Sequence, residues 1–182
     1  MKKVVLFLAC VLSMVGSVSA DDRDVLVKKG EKVPAFVVEM FDGRKIDVKD
    51  LRGKIVLINF WATWCPPCQE EMKRVQKEII DRFKDKDFVF LPISQEENRE
   101  QIARFRERYG YTFPMGMDPD REIFSKFAKS GIPRNFIIGR DGRIIYLELG
   151  YDKEAFTKMV ETLAKLLEEK EGVKESKRRR AA

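Results

Sequence analysis

Two cysteines separated by two residues, Cys65 and Cys68, are the side chains in this sequence best suited to chemistry. They lie in the stretch WATWCPPC (residues 61–68), which follows an apolar run and opens a helical pattern. A pair with this spacing can close a disulfide across one turn, and a helix N-terminus stabilises a thiolate through its free N–H groups and its dipole. The stretch therefore predicts a redox-active dithiol at the junction of a strand and a helix.

The two prolines between the cysteines limit how strongly the helix can stabilise the first thiolate. Pro66 and Pro67 have no backbone N–H, so within this turn only Cys68 can donate a backbone hydrogen bond to the Cys65 sulfur. We therefore expect a modestly lowered Cys65 pKa and a reducing potential. A structural disulfide is the alternative, but it would close a very small loop and constrain the unfolded chain little.

The composition excludes several kinds of active site. The chain contains no histidine and three cysteines, of which Cys10 lies in the N-terminal leader. Histidine metal sites, Ser-His-Asp catalysis and Cys-His catalysis are therefore excluded. Once the leader is removed, no second cysteine pair is left for a four-thiolate zinc site. We expect no metal and no other cofactor.

The net charge of +6 comes from the two ends of the chain. Residues 21–169 contain 28 basic and 28 acidic side chains, whereas residues 170–182 are predominantly basic. A balanced central region gives no indication of a basic binding face. We therefore expect no nucleic-acid partner.

Residues 1–20 are typical of a secretory signal peptide. Lys2 and Lys3 precede an apolar run over residues 4–15, and small residues lead to a predicted cleavage site after Ala20. This predicts export to the periplasm or another extracytoplasmic compartment. Two alternatives stay open: a weak lipoprotein cleavage box ending at Cys10, and an uncleaved leader that anchors the protein, although its apolar run is short for a membrane span.

The hydrophobic patterns predict the elements that position the dithiol. Strands are expected at residues 35–40, 44–48, 54–60, 88–93, 135–138 and 144–149, and helices at residues 66–83, 99–109, 120–128 and 153–169. The order predicts an α/β domain over residues 33–169, with a mixed central sheet flanked by helices and an N-terminal β-hairpin extension. Residues 21–32 are expected to form a flexible leader, and residues 170–182 a basic disordered tail.

The sequence resembles the thioredoxin superfamily, and more closely the exported TlpA/ResA-like thiol-disulfide oxidoreductases. The resemblance covers about residues 30–167 and rests on residues 59–68, Glu71, Phe113-Pro114, Ile132-Pro133 before a Phe-Ile-Ile strand, and the upstream segments 30–36 and 50–54. It implies a thioredoxin-like fold and thiol-disulfide exchange chemistry. Our leading hypothesis is a reductase of protein disulfides, such as those of cytochrome c precursors, and we expect a monomer. A membrane thiol-disulfide electron donor is the expected partner that recycles the dithiol.

The position in the motif and the resemblance assign roles to individual residues. Cys65 is expected to be the exposed nucleophile and Cys68 the more buried resolving thiol. Glu71 is expected to be a partly buried carboxylate that tunes or accepts the Cys68 proton, with a solvated surface acid as the alternative. Pro133 matches a cis-proline that packs opposite the dithiol. The residues expected to contact the substrate are Trp64, Pro66, Ile132 and Pro133.

Three features concern the surroundings of the dithiol. Arg134 follows Pro133 where the family commonly has threonine, and it could either favour acidic partners beside the groove or face solvent. Lys73 replaces a helix-kinking proline, so we expect a straighter first helix. Trp61 and Trp64 are expected to divide two tasks, one packing under the motif and one shielding Cys65.

Two other functions stay open. A thiol peroxidase is one, because the N-terminal extension is shared with peroxiredoxin-like proteins. That family places its nucleophile in a Pro-x-x-x-Thr-x-x-Cys pattern, whereas here Thr63 is only two residues before Cys65. The other is a periplasmic binding module that keeps the fold and uses the cysteines little.

Overall fold

A computed structural model describes residues 24–181, with side chains described up to residue 168. The predicted signal peptide and Cys10 lie outside these residues. Seven strands are described: β1 (Val37–Met40), β2 (Lys45–Asp47), β3 (Ile55–Trp61), β4 (Phe88–Gln95), β5 (Gly116–Asp118), β6 (Arg134–Ile138) and β7 (Ile144–Leu149). The α-helices of this part of the chain are α1 (Pro66–Val75), α2 (Arg99–Tyr109) and α3 (Lys153–Ala181).

The strands form one mixed sheet in the order β2-β1-β5-β4-β3-β6-β7. Strand β3 is central and pairs parallel with β4 and antiparallel with β6. The β1–β2 and β6–β7 pairs are antiparallel, as the Asp-Gly turns at residues 42–43 and 141–142 predict. The predicted mixed sheet with an N-terminal hairpin is therefore confirmed.

Both faces of β3 are covered, which explains its continuous apolar run. Ile55, Leu57 and Trp61 pack toward the three helices. Their neighbours in the strand, such as Phe60, belong to a second cluster, in which Phe60 packs against the ring of Phe124. Because successive side chains of a strand point to opposite faces, the two clusters share β3. The dithiol therefore leaves the carboxyl end of a strand that is fixed on both sides.

The expectation of a flexible leader is wrong for its described part, residues 24–32. Val25 forms a β-bridge with Ala128, and Lys32 forms one with Arg143. Val27 is only 5% exposed and belongs to the second core cluster. The alternating valines bury apolar surface on the sheet, and the charged residues around them obscured this pattern in the sequence.

The helical boundaries also differ from expectation. Helix α1 ends at Val75 and passes into a π-helical segment, Gln76–Asp81, so the uniform helix expected over residues 66–83 does not form. The Gln76 side chain donates to Asp81, five residues on, which suits the i to i+5 spacing of a π-helix. Helix α3 continues to Ala181 instead of ending in a disordered tail, because Lys, Glu, Arg and Ala are strong helix formers.

One predicted helix is much shorter than expected. The helix expected over residues 120–128 is only a 3₁₀ turn at Phe124–Lys126, and the strand β5 before it was not among the predicted strands. Asp118 accepts hydrogen bonds from the backbone N–H groups of Ile123 and Phe124, which favours a tight turn over a longer helix. Within the described range, no helix has the length and apolar character needed to cross a membrane.

Candidate active site

The cysteine pair lies at the amino end of α1 and is joined as a disulfide. The S–S distance is 2.07 Å and the two Cα atoms are 5.2 Å apart. Cys65 is the residue that caps the helix, and Pro66 and Pro67 fill its first two positions. The Cys68 N–H lies 3.3 Å from the Cys65 sulfur. The predicted arrangement, in which this sulfur has a single backbone donor from the motif turn, is thus present.

Cys65 is less accessible than expected in this disulfide form. It is only 3% exposed, and Cys68 is fully buried. The carbonyl oxygen of Ile132 lies 3.7 Å from the Cys65 sulfur and covers it from the opposite side. The peptide bond between Ile132 and Pro133 is cis, as predicted. The loop before β6 therefore forms the wall that faces the dithiol.

Exposed side chains surround this covered disulfide. Trp64 is 56% exposed and Pro66 is also exposed, whereas Ile132 is partly buried. Trp61 is fully buried and packs on Phe105 with 5.1 Å between ring centroids. The two tryptophans thus differ as expected, one beneath the motif and one at its surface. Pro133, the fourth residue predicted to contact substrate, is buried. The contact of these four residues with a substrate stays a prediction.

Glu71 lies on the buried side of α1, the helix that begins with the dithiol, and contacts polar side chains. It is 2% exposed, so the alternative of a solvated surface acid is wrong. Its carboxylate accepts hydrogen bonds from the side-chain amides of Asn135 at 2.6 Å and Asn59 at 3.3 Å. Asn59 also donates to the Asn135 side-chain oxygen at 2.9 Å. The three side chains therefore form one closed network.

Burial and hydrogen bonding act in opposite directions on the Glu71 carboxyl. Burial disfavours the charged form and raises its pKa to about 7, although the two amide hydrogen bonds partly oppose this rise. A carboxyl with this pKa can hold or release a proton at neutral pH. Glu71 lies three residues after Cys68 on α1, so a buried proton-exchanging group stands close in sequence to the resolving cysteine.

Asn135 is a site residue that the sequence reasoning missed. It lies directly opposite Asn59 in the antiparallel pairing of β3 with β6. Its neighbour Arg134 was expected either to lie beside the groove, where it would favour acidic partners, or to face solvent. It does neither. Arg134 is 2% exposed and donates to the carbonyls of Ser130 at 2.8 Å and Gly131 at 3.3 Å. Side-chain alternation along β6 puts the arginine on the opposite face, where it ties down the loop that leads to the cis peptide.

Glu97 is a second buried carboxylate that was not predicted. It is 1% exposed and accepts hydrogen bonds from the Thr63 backbone N–H at 2.9 Å, from the Thr63 hydroxyl and from the Ser94 hydroxyl. The Gln69 side chain donates to the Thr63 carbonyl at 2.6 Å. These bonds fix the loop immediately before Cys65. Glu97 lies in a polar stretch whose composition gave no sign that one carboxylate turns inward.

The described residues can support thiol-disulfide chemistry without a metal ligand set. No group of three or more His, Cys, Asp or Glu side chains within residues 24–168 is placed to hold a metal ion. The sheet topology, the cysteine pair at a helix N-terminus and the facing cis-proline define a thiol-disulfide oxidoreductase of the thioredoxin-like fold.

Comparison with known proteins identifies the family. The chain belongs to the AhpC/TSA family, which matches residues 29–147. It is similar to the thiol-disulfide oxidoreductase ResA of Bacillus thuringiensis (strain Al Hakam), with 34% identity over 121 residues, covering 66% of this chain and 69% of the relative. The resemblance to ResA-like enzymes inferred from the motifs is therefore confirmed.

Solved structures support the same fold. A candidate protein disulfide isomerase from Bacteroides thetaiotaomicron is 36% identical, with a TM-score of 0.76, and the match covers 80% of this chain and 93% of that one. StoA from Bacillus subtilis is 21% identical, with a TM-score of 0.61, covering 71% of this chain and 96% of StoA. The second comparison supports the fold alone.

Proposed function

We propose that this protein is an extracytoplasmic reductase of protein disulfides, with disulfides such as those of cytochrome c precursors among its substrates. The observation that carries the proposal is the Cys65–Cys68 disulfide at the start of α1, in which the motif turn offers the Cys65 sulfur one backbone donor. A thiolate with few donors is weakly stabilised, so the reduced dithiol gives up its electrons more readily.

The proposed reaction begins with both cysteines reduced. The Cys65 thiolate attacks one sulfur of the substrate disulfide, forms a mixed disulfide and expels the other substrate sulfur as a thiolate, which takes up a proton. The Cys68 thiolate then attacks the Cys65 sulfur and releases the second substrate thiolate. Two electrons have passed from the dithiol to the substrate, and the enzyme is left with the Cys65–Cys68 disulfide.

Glu71 is assigned the proton of Cys68 in this sequence. Cys68 is fully buried, so loss of its proton needs a nearby acceptor that is itself shielded from water. Glu71 is buried on the same helix, and its pKa, raised by burial to about 7, suits exchange with a thiol near neutral pH. In this role it favours the second step, the attack of Cys68 on the mixed disulfide.

The oxidised enzyme then has to be reduced again. We assign this step to a membrane thiol-disulfide donor, which would transfer two electrons through its own dithiol. The predicted signal peptide supports a cycle that takes place outside the cytoplasm. If the leader is not cleaved, it would anchor the protein to the membrane. Trp64 and Pro66, which are exposed, and the partly buried Ile132 would contact both protein partners, with the buried Pro133 supporting Ile132 from below the surface.

Thiol peroxidase activity is the weaker alternative. The Thr63 hydroxyl donates to the buried Glu97 carboxylate, so it is already engaged away from the cysteine. Consumption of hydrogen peroxide by the reduced protein, measured beside reduction of a protein disulfide, discriminates between the two activities. The reductase proposal predicts a disulfide reaction that outpaces peroxide turnover.

Trapping and potentiometry test the proposal together. The Cys68→Ala variant should accumulate a mixed disulfide with an oxidised protein substrate, seen by non-reducing electrophoresis and mass spectrometry, whereas Cys65→Ser should trap none. Equilibration with glutathione buffers gives the potential of the wild-type pair. A value more oxidising than about −180 mV would contradict a reductase.

The two prolines provide a matched test of the reason for the reducing direction. A helix-capping side chain accepts from the N–H groups of the second and third helical positions, which here are Pro67 and Cys68. Pro67→Ala should therefore add a donor to Cys65 and make the potential more oxidising, by about 30 mV for a tenfold effect on the equilibrium. Pro66→Ala adds an N–H at the first position and should change the potential less. Equal shifts in both variants would refute the argument.

A further inference from the structure

An open groove runs beside the active-site loop and has no role in the reaction described so far. Its volume is about 460 Å³. Thr63 and Gln69 line its active-site side, and Gln101, Arg104, Arg108 and Tyr109 line the side formed by α2. The Gln69 side chain donates a hydrogen bond to the Thr63 carbonyl, and these two residues together form one wall of the groove. Because Thr63 belongs to the loop that carries Cys65, the groove lies directly beside that loop.

The charged side chains that line the groove are both arginines, although the domain as a whole is balanced. Arg104 and Arg108 are both exposed and lie one helical turn apart, and no acidic side chain is among the lining residues. Neither arginine forms an ion pair within residues 24–168. Arg108 contacts the Tyr109 ring, with 5.5 Å from its guanidinium carbon to the ring centroid. Two guanidinium groups thus remain available to an incoming anion.

The other arginines of the same helix are already engaged. Arg99 pairs with Glu39 at 2.9 Å, and Arg106 donates to the Phe113 carbonyl. Among the described residues, Arg104 and Arg108 are thus the α2 arginines whose guanidinium groups have neither an ion-pair nor a hydrogen-bond partner, and both line the groove. Spacing of four residues puts Arg104 and Arg108 on one face of the helix.

We propose that this groove binds an acidic segment next to the disulfide of the substrate protein. This inference rests on the proposed reductase function. A substrate whose disulfide reaches Cys65 must pass the exposed Trp64 and can lay its flanking residues along α2. Guanidinium groups bind carboxylates through paired hydrogen bonds. A local positive potential also raises the association rate of a negatively charged partner, by tenfold or more at low salt.

The test compares three synthetic disulfide peptides that differ only in their flanking residues, which are aspartate, serine or lysine. Fully reduced protein is mixed with each peptide, and the second-order rate constant for peptide reduction is measured. At an ionic strength of about 20 mM, the wild type should reduce the aspartate peptide roughly tenfold faster than the serine peptide. This preference should largely disappear near 0.5 M salt, where screening is strong.

Charge reversal identifies the groove as the cause. The Arg104→Glu/Arg108→Glu variant should lose the preference for the aspartate peptide and gain one for the lysine peptide. The matched control is Lys54→Glu/Lys84→Glu, which makes the same change in net charge at exposed positions before β3 and β4, at the opposite end of the sheet. This control should keep the wild-type order. The Arg104→Gln/Arg108→Gln variant should lose the preference without reversing it. This variant replaces the glutamate variant in the test if the latter does not fold.

The outcomes separate this inference from the proposed function. Equal rates for the three peptides in the wild type, or equal effects of the two double variants, would overturn the groove as a binding site. A protein that reduces none of the peptides, and also fails on a small neutral disulfide such as 2-hydroxyethyl disulfide, would instead overturn the reductase function. Loss of the preference in the arginine variants, with an unchanged rate on the neutral disulfide, would support the binding site.

Discussion

Replacing Glu71 by glutamine should change the way in which stability depends on pH. The wild-type carboxyl is buried with two asparagine amides, and burial raises its pKa from 4.5 to about 7. The folded state therefore binds this proton more tightly than the unfolded state. Glutamine has nearly the same shape and does not titrate, so Glu71→Gln removes the pH-dependent contribution and leaves the packing largely intact.

The magnitude and its sign follow from proton linkage. Below about pH 4.5 the carboxyl is protonated in both the folded and the unfolded state, so it does not change the free energy of unfolding with pH. Between pH 4.5 and 7 the unfolded chain ionises first, so the wild type loses stability as pH rises. Above pH 7 the loss is complete. The pKa rises by about 2.5 units, so at about 1.4 kcal/mol per unit the loss is about 3–4 kcal/mol as an upper bound.

Urea unfolding of the oxidised proteins between pH 4.5 and 8.5 measures this effect. The stability of Glu71→Gln minus that of the wild type should rise with pH and level off above pH 8. A constant offset at acid pH reports the altered hydrogen bonds of the new amide. Glu70→Gln is the control, because Glu70 is 58% exposed and its ion pair with Lys73 is solvated. A Glu71→Gln curve parallel to that of the wild type across the whole range would refute the reasoning.

Three further substitutions test the framework of the site by the free energy of unfolding. Gly116→Ala would place a Cβ atom 2.7 Å from a Val38 methyl carbon, so it should cost about 1–3 kcal/mol, and an unchanged urea midpoint would contradict this packing. Glu97→Gln weakens the buried acceptor of Thr63 and should cost about 1–2 kcal/mol, checked by chemical denaturation. Arg134→Met leaves two loop carbonyls without their donor and should lower stability by about 1–3 kcal/mol, whereas a thermal midpoint equal to that of the wild type would oppose the assigned contacts.

The fold could be predicted because its signals are local. The apolar run of β3, the Asp-Gly turns and the stripes of the helices each need only a short window of sequence, and together they predict a mixed sheet with two hairpins. The position of β5 between β1 and β4 was not predicted. The docking of residues 24–32 could not be predicted in this way. Val25 and Val27 are isolated among charged residues, and their partners, such as Ala128, lie about a hundred positions away.

The residues of the site also fall into two groups, those predictable from local motifs and those whose position depends on strand pairing. Cys65, Cys68 and Pro133 belong to motifs that can be recognised from their immediate neighbours. The partners of Glu71 depend instead on strand register, because Asn59 meets Asn135 only when β3 and β6 pair as they do. The same applies to charge. A balanced total over residues 21–169 predicted no basic face, yet the fold places α2, with Arg104 and Arg108 on one face, beside the loop before Cys65.

The geometry of α1 suggests that proton transfer and substrate binding can be altered separately. Cys68 and Glu71 point into the core cluster side of the helix and are both buried, whereas Gln69 turns toward the groove along α2. Neighbouring positions on a helix differ by about 100° in direction, so a single turn serves both tasks. A change at Glu71 should therefore affect the pH dependence of the reaction with little effect on the preference among charged peptides. Changes at Arg104 and Arg108 should do the reverse, because each acts on a different side of the same dithiol.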